Sequence, residues 1–160
     1  MNISKTITTG PVWDEIEKVR NQISQFLTDQ NISENNVHSA TMIFSELIEN
    51  GVKYGKFLKG DKVEAHINID DQLITIEVIN PIDTEGRKHL KELDEMIQWI
   101  RGYQDPFEAY IEKIKKVAKM PITDKKSGLG LVRIAYEGRA ILDFYINEDS
   151  KLNVSAVMNY

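Results

Sequence analysis

Glu46, Asn50 and Lys53 stand four and three residues apart in the run Glu46-Leu47-Ile48-Glu49-Asn50-Gly51-Val52-Lys53-Tyr54-Gly55. At about 100° per residue a helix gathers them into a narrow arc. That arc lies away from the apolar stripe of Phe44, Leu47, Ile48 and Gly51, so one helix can pack and still present all three. A carboxylate, an amide oxygen and an ammonium group suit a Mg²⁺–phosphate site, because Mg²⁺ takes hard oxygen ligands and few protein side chains. Taken alone, the trio equally suits a solvated helix face with a Glu46–Asn50 or Glu49–Lys53 pairing.

Two further features carry chemistry. Ser127-Gly128-Leu129-Gly130-Leu131 leads into a helical stretch, with Lys125, Lys126 and Arg133 nearby. Glycines let backbone N–H groups approach phosphates, and a helix N-terminus favours negative charge. A plain loop before a helix reads the same way. Asn80 follows the alternating run Ile76-Glu77-Val78-Ile79 and precedes Pro81. A polar side chain at the end of a buried strand can read a base by hydrogen bonding, and Asn-Pro is also an ordinary turn former.

The elements that must position these residues follow from periodicity. Residues 3–8 suggest a short edge strand. Pro11 suits a first helical turn, followed by Trp13, Ile16, Ile23, Phe26 and Leu27 at helical spacing. Asn31 breaks that helix, and Ser33 is a good N-cap for the next, which carries Val37, Ala40, Phe44, Leu47, Ile48 and Gly51 on one side. Val63, Ala65, Ile67 and Ile69, then Ile74, Ile76 and Val78, alternate with polar residues as an antiparallel hairpin with one buried face. Helical stripes return as Leu90, Leu93, Ile97 and Ile100, then as Phe107, Tyr110, Ile111, Ile114 and Val117. Between them Asp105-Pro106-Phe107-Glu108 has the order of an N-cap, a first-turn proline and a capping-box acid. A helix opening at Gly128 and ending by Gly138 precedes two alternating strands, Leu142-Phe144-Ile146 and Leu152-Val154-Ala156-Met158. No linker or repeat divides the chain, so residues 1–160 are expected to form one α+β domain. The expected architecture is a two-layer α/β sandwich: a mixed, mostly antiparallel sheet with helices on one face.

Composition narrows the function. The 160 residues carry 20 basic and 25 acidic side chains, a net charge of −5, which argues against a mainly electrostatic nucleic-acid binder. Ten of the basic side chains nevertheless fall within residues 81–127. There is no cysteine, which excludes thiol nucleophiles and cysteine-ligated metals. The three histidines, His38, His66 and His89, lack metal-ligand spacing. No window reaches the roughly 18–20 apolar residues of a membrane span. Residues 1–10 lack the basic start and apolar run of a signal peptide. A cytoplasmic location without membrane or nucleic-acid partners is the expectation.

Taken in order, the three features resemble the Bergerat-fold (histidine-kinase-like, GHKL) ATPases and kinases, the superfamily of gyrase, histidine kinases and anti-sigma-factor serine kinases. Glu46 to Gly55 resembles the N box, with Asn four residues after Glu, then a basic residue and an aromatic. The segment around Asn80 falls where the family has its first glycine box. Gly128-Leu129-Gly130-Leu131-Val132-Arg133-Ile134-Ala135 looks like the second. Asn80 stands where the family usually has Asp, and Ile82 where it has glycine. The short length and lack of a phosphoacceptor-histidine domain resemble the anti-sigma, partner-switching serine/threonine kinases.

The resemblance implies roles. Glu46 would be the general base and Asn50 would hold Mg²⁺. Lys53, Asn80, Lys125, Lys126, Gly128, Leu129, Gly130 and Leu131 would contact ATP, with Asn80 facing the adenine. Residues 81–127 would form the ATP lid. The implied function is ATP- and Mg²⁺-dependent phosphorylation of a small regulatory protein of the anti-sigma-antagonist type. A homodimer through the N-terminal strand and first helix would also fit. Two alternatives remain: a non-catalytic module on the same fold that sequesters a regulatory partner, and an ATPase that switches conformation without a protein substrate.

Overall fold

Each predicted change of period marks a real change of element in the computed structural model, which describes residues 2–121 and 128–160. The order is β1 (Ile3–Thr9), α1 (Trp13–Asp29), α2 (Glu34–Tyr54), β2 (Val63–Ile69) and β3 (Leu73–Pro81), then α3 (Thr84–Arg101), α4 (Pro106–Ala118), α5 (Leu129–Tyr136), β4 (Ala140–Ile146) and β5 (Lys151–Asn159). The strands form one sheet in the order β1-β2-β3-β5-β4. All four pairings are antiparallel, so no parallel pairing joins them among the described residues. The register is set by alternation: Ala65, Ile67 and Ile69 of β2 oppose Val78, Ile76 and Ile74 of β3 on the buried face. A one-residue slip would turn that whole apolar set to the other face.

The helices cover the buried face and complete an α+β two-layer sandwich. Ile16, Val19, Ile23 and Leu27 of α1, and Ile43, Phe44, Leu47 and Ile48 of α2, join the strand residues in one core. Each such side chain contributes about 1.5–3 kcal/mol on burial. Local signals fix the helix ends. Ser33 Oγ accepts from Asn36 N at 3.4 Å. Asn31 closes α1 with φ of 60°, and Ile32 N donates to Leu27 O at 3.2 Å, a left-handed helix stop of the kind Asn tolerates. Asp83 Oδ1 accepts from Gly86 N at 2.8 Å to start α3, and Asp105 Oδ1 accepts from Phe107 N at 3.0 Å to start α4, with Pro106 in its first turn.

Three expectations change. Pro11 lies before α1, whose N-cap is Val12. Glu15 reaches back instead to accept from Gly10 N at 2.6 Å and ties the entry to the helix. Trp13 leaves the buried stripe and is 60% exposed. In α4 the buried side chains are Ala109 and Lys113, one turn apart, while Phe107 and Ile114 are exposed. The small Ala109 is the residue that allows close packing on this face, so the helix turns it inward and leaves part of the apolar stripe outside. The stripe of α3 behaves as expected: Ile97 and Ile100 are buried, and Leu93 and Met96 pack on the core.

Candidate functional site

Glycine at position 51 brings α2 close to β3. A Cβ there would lie 3.1 Å from Asn80 Oδ1 and 3.2 Å from Val78 Cγ1. This approach sets α2 directly over the end of the strand that carries Asn80. From the other side, α5 follows the 81–121 segment and packs beside α2. A cavity of about 540 Å³ lies between them. Of the residues singled out in the sequence, Glu46, Asn50, Lys53, Asn80, Gly128, Gly130 and Leu131 line it. Leu129 packs partly buried against the core instead. Lys125 and Lys126 lie outside the described residues.

Asn80 is 1% exposed. Its Nδ2 donates to the neighbouring Pro81 O at 3.2 Å, while Oδ1 accepts no hydrogen bond among the described residues. A buried acceptor left unmatched costs about 1–3 kcal/mol. Its amide orientation follows from that hydrogen bond. Sequence reasoning placed Asn80 at a strand end; the structure adds that its acceptor is buried beside Gly51 without a partner among the described residues.

Glu46 sits at the opposite edge. Burial pushes its carboxyl above the ordinary carboxylate range, the Arg133 guanidinium opposes that, and nearby Glu49 reinforces it. Arg133 Nη1 donates to Glu46 Oε1. The same guanidinium reaches Glu137 through Nη2 at 3.1 Å and Nε at 3.2 Å, so two carboxylates share one cation. Gly130 leaves the room Glu46 occupies: a Cβ there would lie 2.5 Å from Glu46 Oε2. Asn50 is half-buried one turn along α2. Lys53 is exposed, its Nζ 5.2 Å from the Tyr54 ring centroid. Among the described residues no three or more His, Cys, Asp or Glu side chains gather at metal-binding spacing.

The lining also includes residues outside the sequence-predicted site, among them Trp13, His89 and Lys113. Trp13 and His89 stand on the cavity wall, His89 with its ring 5.5 Å from that of Tyr54. Lys113 comes from α4 and is 8% exposed. Gly128 opens α5 with φ of 64°, and a Cβ on it would lie 3.0 Å from Lys113 Cε and 3.2 Å from Nζ. The only signal for Lys113 in the chain is its i+4 spacing from Ala109, which periodicity does not distinguish from a solvated position.

These residues fit a nucleotide with Mg²⁺ on the chemistry present. A buried unmatched acceptor suits an exocyclic amino group, and an amide oxygen one turn from a carboxylate suits a hard cation. Glycines at the start of α5 let backbone approach an anion. Among the described residues, no helix is long and apolar enough to cross a membrane.

No protein-family model matches the chain, and no curated protein matches its sequence. Among solved structures it is similar to a chain of the SiaB-SiaC complex from Pseudomonas aeruginosa. The TM-score is 0.69 at 15% identity, over 98% of this chain and 89% of that one. At that identity the likeness shows a shared fold.

Proposed function

We propose that the chain is an ATP- and Mg²⁺-dependent serine/threonine protein kinase of a partner-switching regulatory system. The observation that carries this reading is the convergence of Glu46, Asn50, Asn80, Gly128 and Gly130 around one cavity with an unmatched acceptor at Asn80. The similarity to a chain solved within a two-protein complex supports a small protein as the partner.

In this reading Asn80 Oδ1 accepts from the adenine amino group, and Asn50 supplies an oxygen to Mg²⁺. The metal would neutralise phosphate charge when bound. Glu46 takes the proton of the partner's hydroxyl as that oxygen bonds to the γ-phosphorus. The bond to the bridging oxygen breaks, and ADP leaves with it. A raised carboxyl pKa suits a base that must hold a proton after transfer. Arg133 holds the Glu46 side chain in one orientation. The added phosphate then changes the partner's binding through its charge and hydrogen-bonding oxygens.

One observation favours the second reading, a non-catalytic module that sequesters its partner: Glu46 is engaged by Arg133 rather than free at the cavity. Incubation with γ-labelled ATP and candidate partner proteins separates the two. The kinase reading expects label on the partner, lost in Glu46→Gln. Tight partner binding without labelled partner supports the sequestering module, and label released only as free phosphate supports an ATPase.

A further inference from the structure

Lys113 occupies a position where an apolar residue would be expected. It lies on the inward face of α4, 8% exposed, and among the described residues it makes no hydrogen bond or ion pair. The packed stem leaves the ammonium partly desolvated with some access to the cavity, a cost that an apolar side chain of similar length would avoid. Burial, and then the neighbouring Lys116, lower its pKa, in keeping with a poorly compensated cation. Lys116 is turned away over the Trp99 ring, 4.7 Å from its centroid. Lysine can often carry its head to solvent on a flexible stem. Here the stem runs beside Met96, and the head arrives at Gly128 on the cavity wall.

The surroundings of that head are suited to an anion. Gly128 is the left-handed N-cap of α5 and offers no capping side chain, and the first turn of α5 holds no acidic residue. The positive end of the helix dipole and the Lys113 ammonium therefore act on the same space. Gly130, within the first turn, lies against Glu46. The ammonium thus stands on the same wall as the candidate base, on an element that sequence reasoning assigned wholly to a lid.

We propose that Lys113 is the phosphate-binding cation of this cavity, contacting the polyphosphate end of a nucleotide beside Gly128. This rests on the nucleotide reading above and names a residue for it. The α3–α4 segment is then more than a cover, because it brings the charge that the anion needs.

Calorimetry with ATP, adenosine and inorganic tripolyphosphate, on the wild type, Lys113→Met and Lys113→Arg, tests the assignment. Lys113→Met is expected to weaken ATP roughly tenfold to a hundredfold, the range of a charge-assisted hydrogen bond, and to leave adenosine within about twofold. Lys113→Arg should retain most of the ATP affinity. The apo Lys113→Met protein should melt at or above the wild type, because a partly desolvated ammonium is removed while the packing of the stem is kept; a purely structural lysine would give a lower midpoint. Should Lys113→Met fail to fold, Lys113→Gln carries the same comparison. Equal ATP affinity in wild type and Lys113→Met overturns the assignment and leaves the nucleotide reading standing. Binding of tripolyphosphate but neither ATP nor adenosine, lost in Lys113→Met, supports the assignment and sinks the nucleotide reading. No heat with any titrant overturns both.

Discussion

Arg133 Nη1 donates to Glu46 Oε1 and ties α5 to the middle of α2 beside the cavity. The two residues are 87 positions apart in sequence. The carboxylate is partly buried, so this contact decides both where it points and how readily it holds a proton.

Removing the cation should expose that dependence. Arg133→Ala leaves a desolvated carboxylate without its counter-charge and is expected to cost about 1–3 kcal/mol, read by urea unfolding. It should also move the Glu46 pKa further up, because the remaining causes, burial, Glu49 and Glu137, all raise it. The acidic limb of the pH–rate profile for phosphoryl transfer should shift to higher pH in the variant. An unshifted limb would show that Glu46 is not the titrating base.

Glu46→Gln separates chemistry from binding. Phosphoryl transfer should disappear while nucleotide affinity stays within about twofold. The same variant reports on linkage. A carboxyl whose folded pKa lies above its unfolded value favours folding fully below the unfolded pKa, and loses that contribution as pH rises through the folded pKa. Glu46→Gln should therefore melt higher than the wild type near neutral pH, and the gain should fade below the ordinary carboxylate range. A variant less stable at neutral pH would show that the Arg133 contact outweighs burial.

Gly130→Ala tests the close approach of α5 to α2. The added Cβ would lie 2.5 Å from Glu46 Oε2, so the carboxylate must move. Position 130 is helical, which makes alanine favourable for the helix itself. The expected outcome is a folded protein with transfer reduced roughly a hundredfold, the scale of a misplacement of about 1 Å. Circular dichroism with single-turnover labelling checks both halves.

Much of the architecture was legible in the chain because its signals are local. Ser33, Asp105 and Asn31 act within a few residues, and the alternation in 63–69 and 74–78 fixes which face is buried. The facing of α4 was not legible. Phe107, Tyr110, Ile111, Ile114 and Val117 outnumber Ala109 as apolar residues, yet close packing favours the smaller side chain, and Lys113 follows it inward. The Glu46–Asn50–Lys53 arc, Asn80 and the glycine pair were each ambiguous alone. Their meeting depends on strand order, which places β3 under α2 and leaves α5 alongside. The Glu46–Arg133 contact and the burial of Lys113 arise from that packing, so spacing carries no mark of them.

Asn80→Leu isolates the buried acceptor. Among the described residues Oδ1 has no partner to lose, and Pro81 O still accepts from Lys56 N at 3.0 Å after Nδ2 is gone. The variant should therefore melt at or above the wild-type midpoint, since an unmatched buried polar atom is replaced by an apolar group of similar size. Nucleotide binding should be lost. A stable Asn80→Leu protein that still binds ATP would remove Asn80 from the site.

Calorimetric titration of the wild type with ATP, with and without Mg²⁺, tests the central claim most directly. The account predicts saturable one-to-one binding with a dissociation constant below about 1 mM, tightened by Mg²⁺ and abolished in Asn80→Leu. The absence of saturable heat from a folded wild-type protein at millimolar ATP, with Mg²⁺ present, would contradict it.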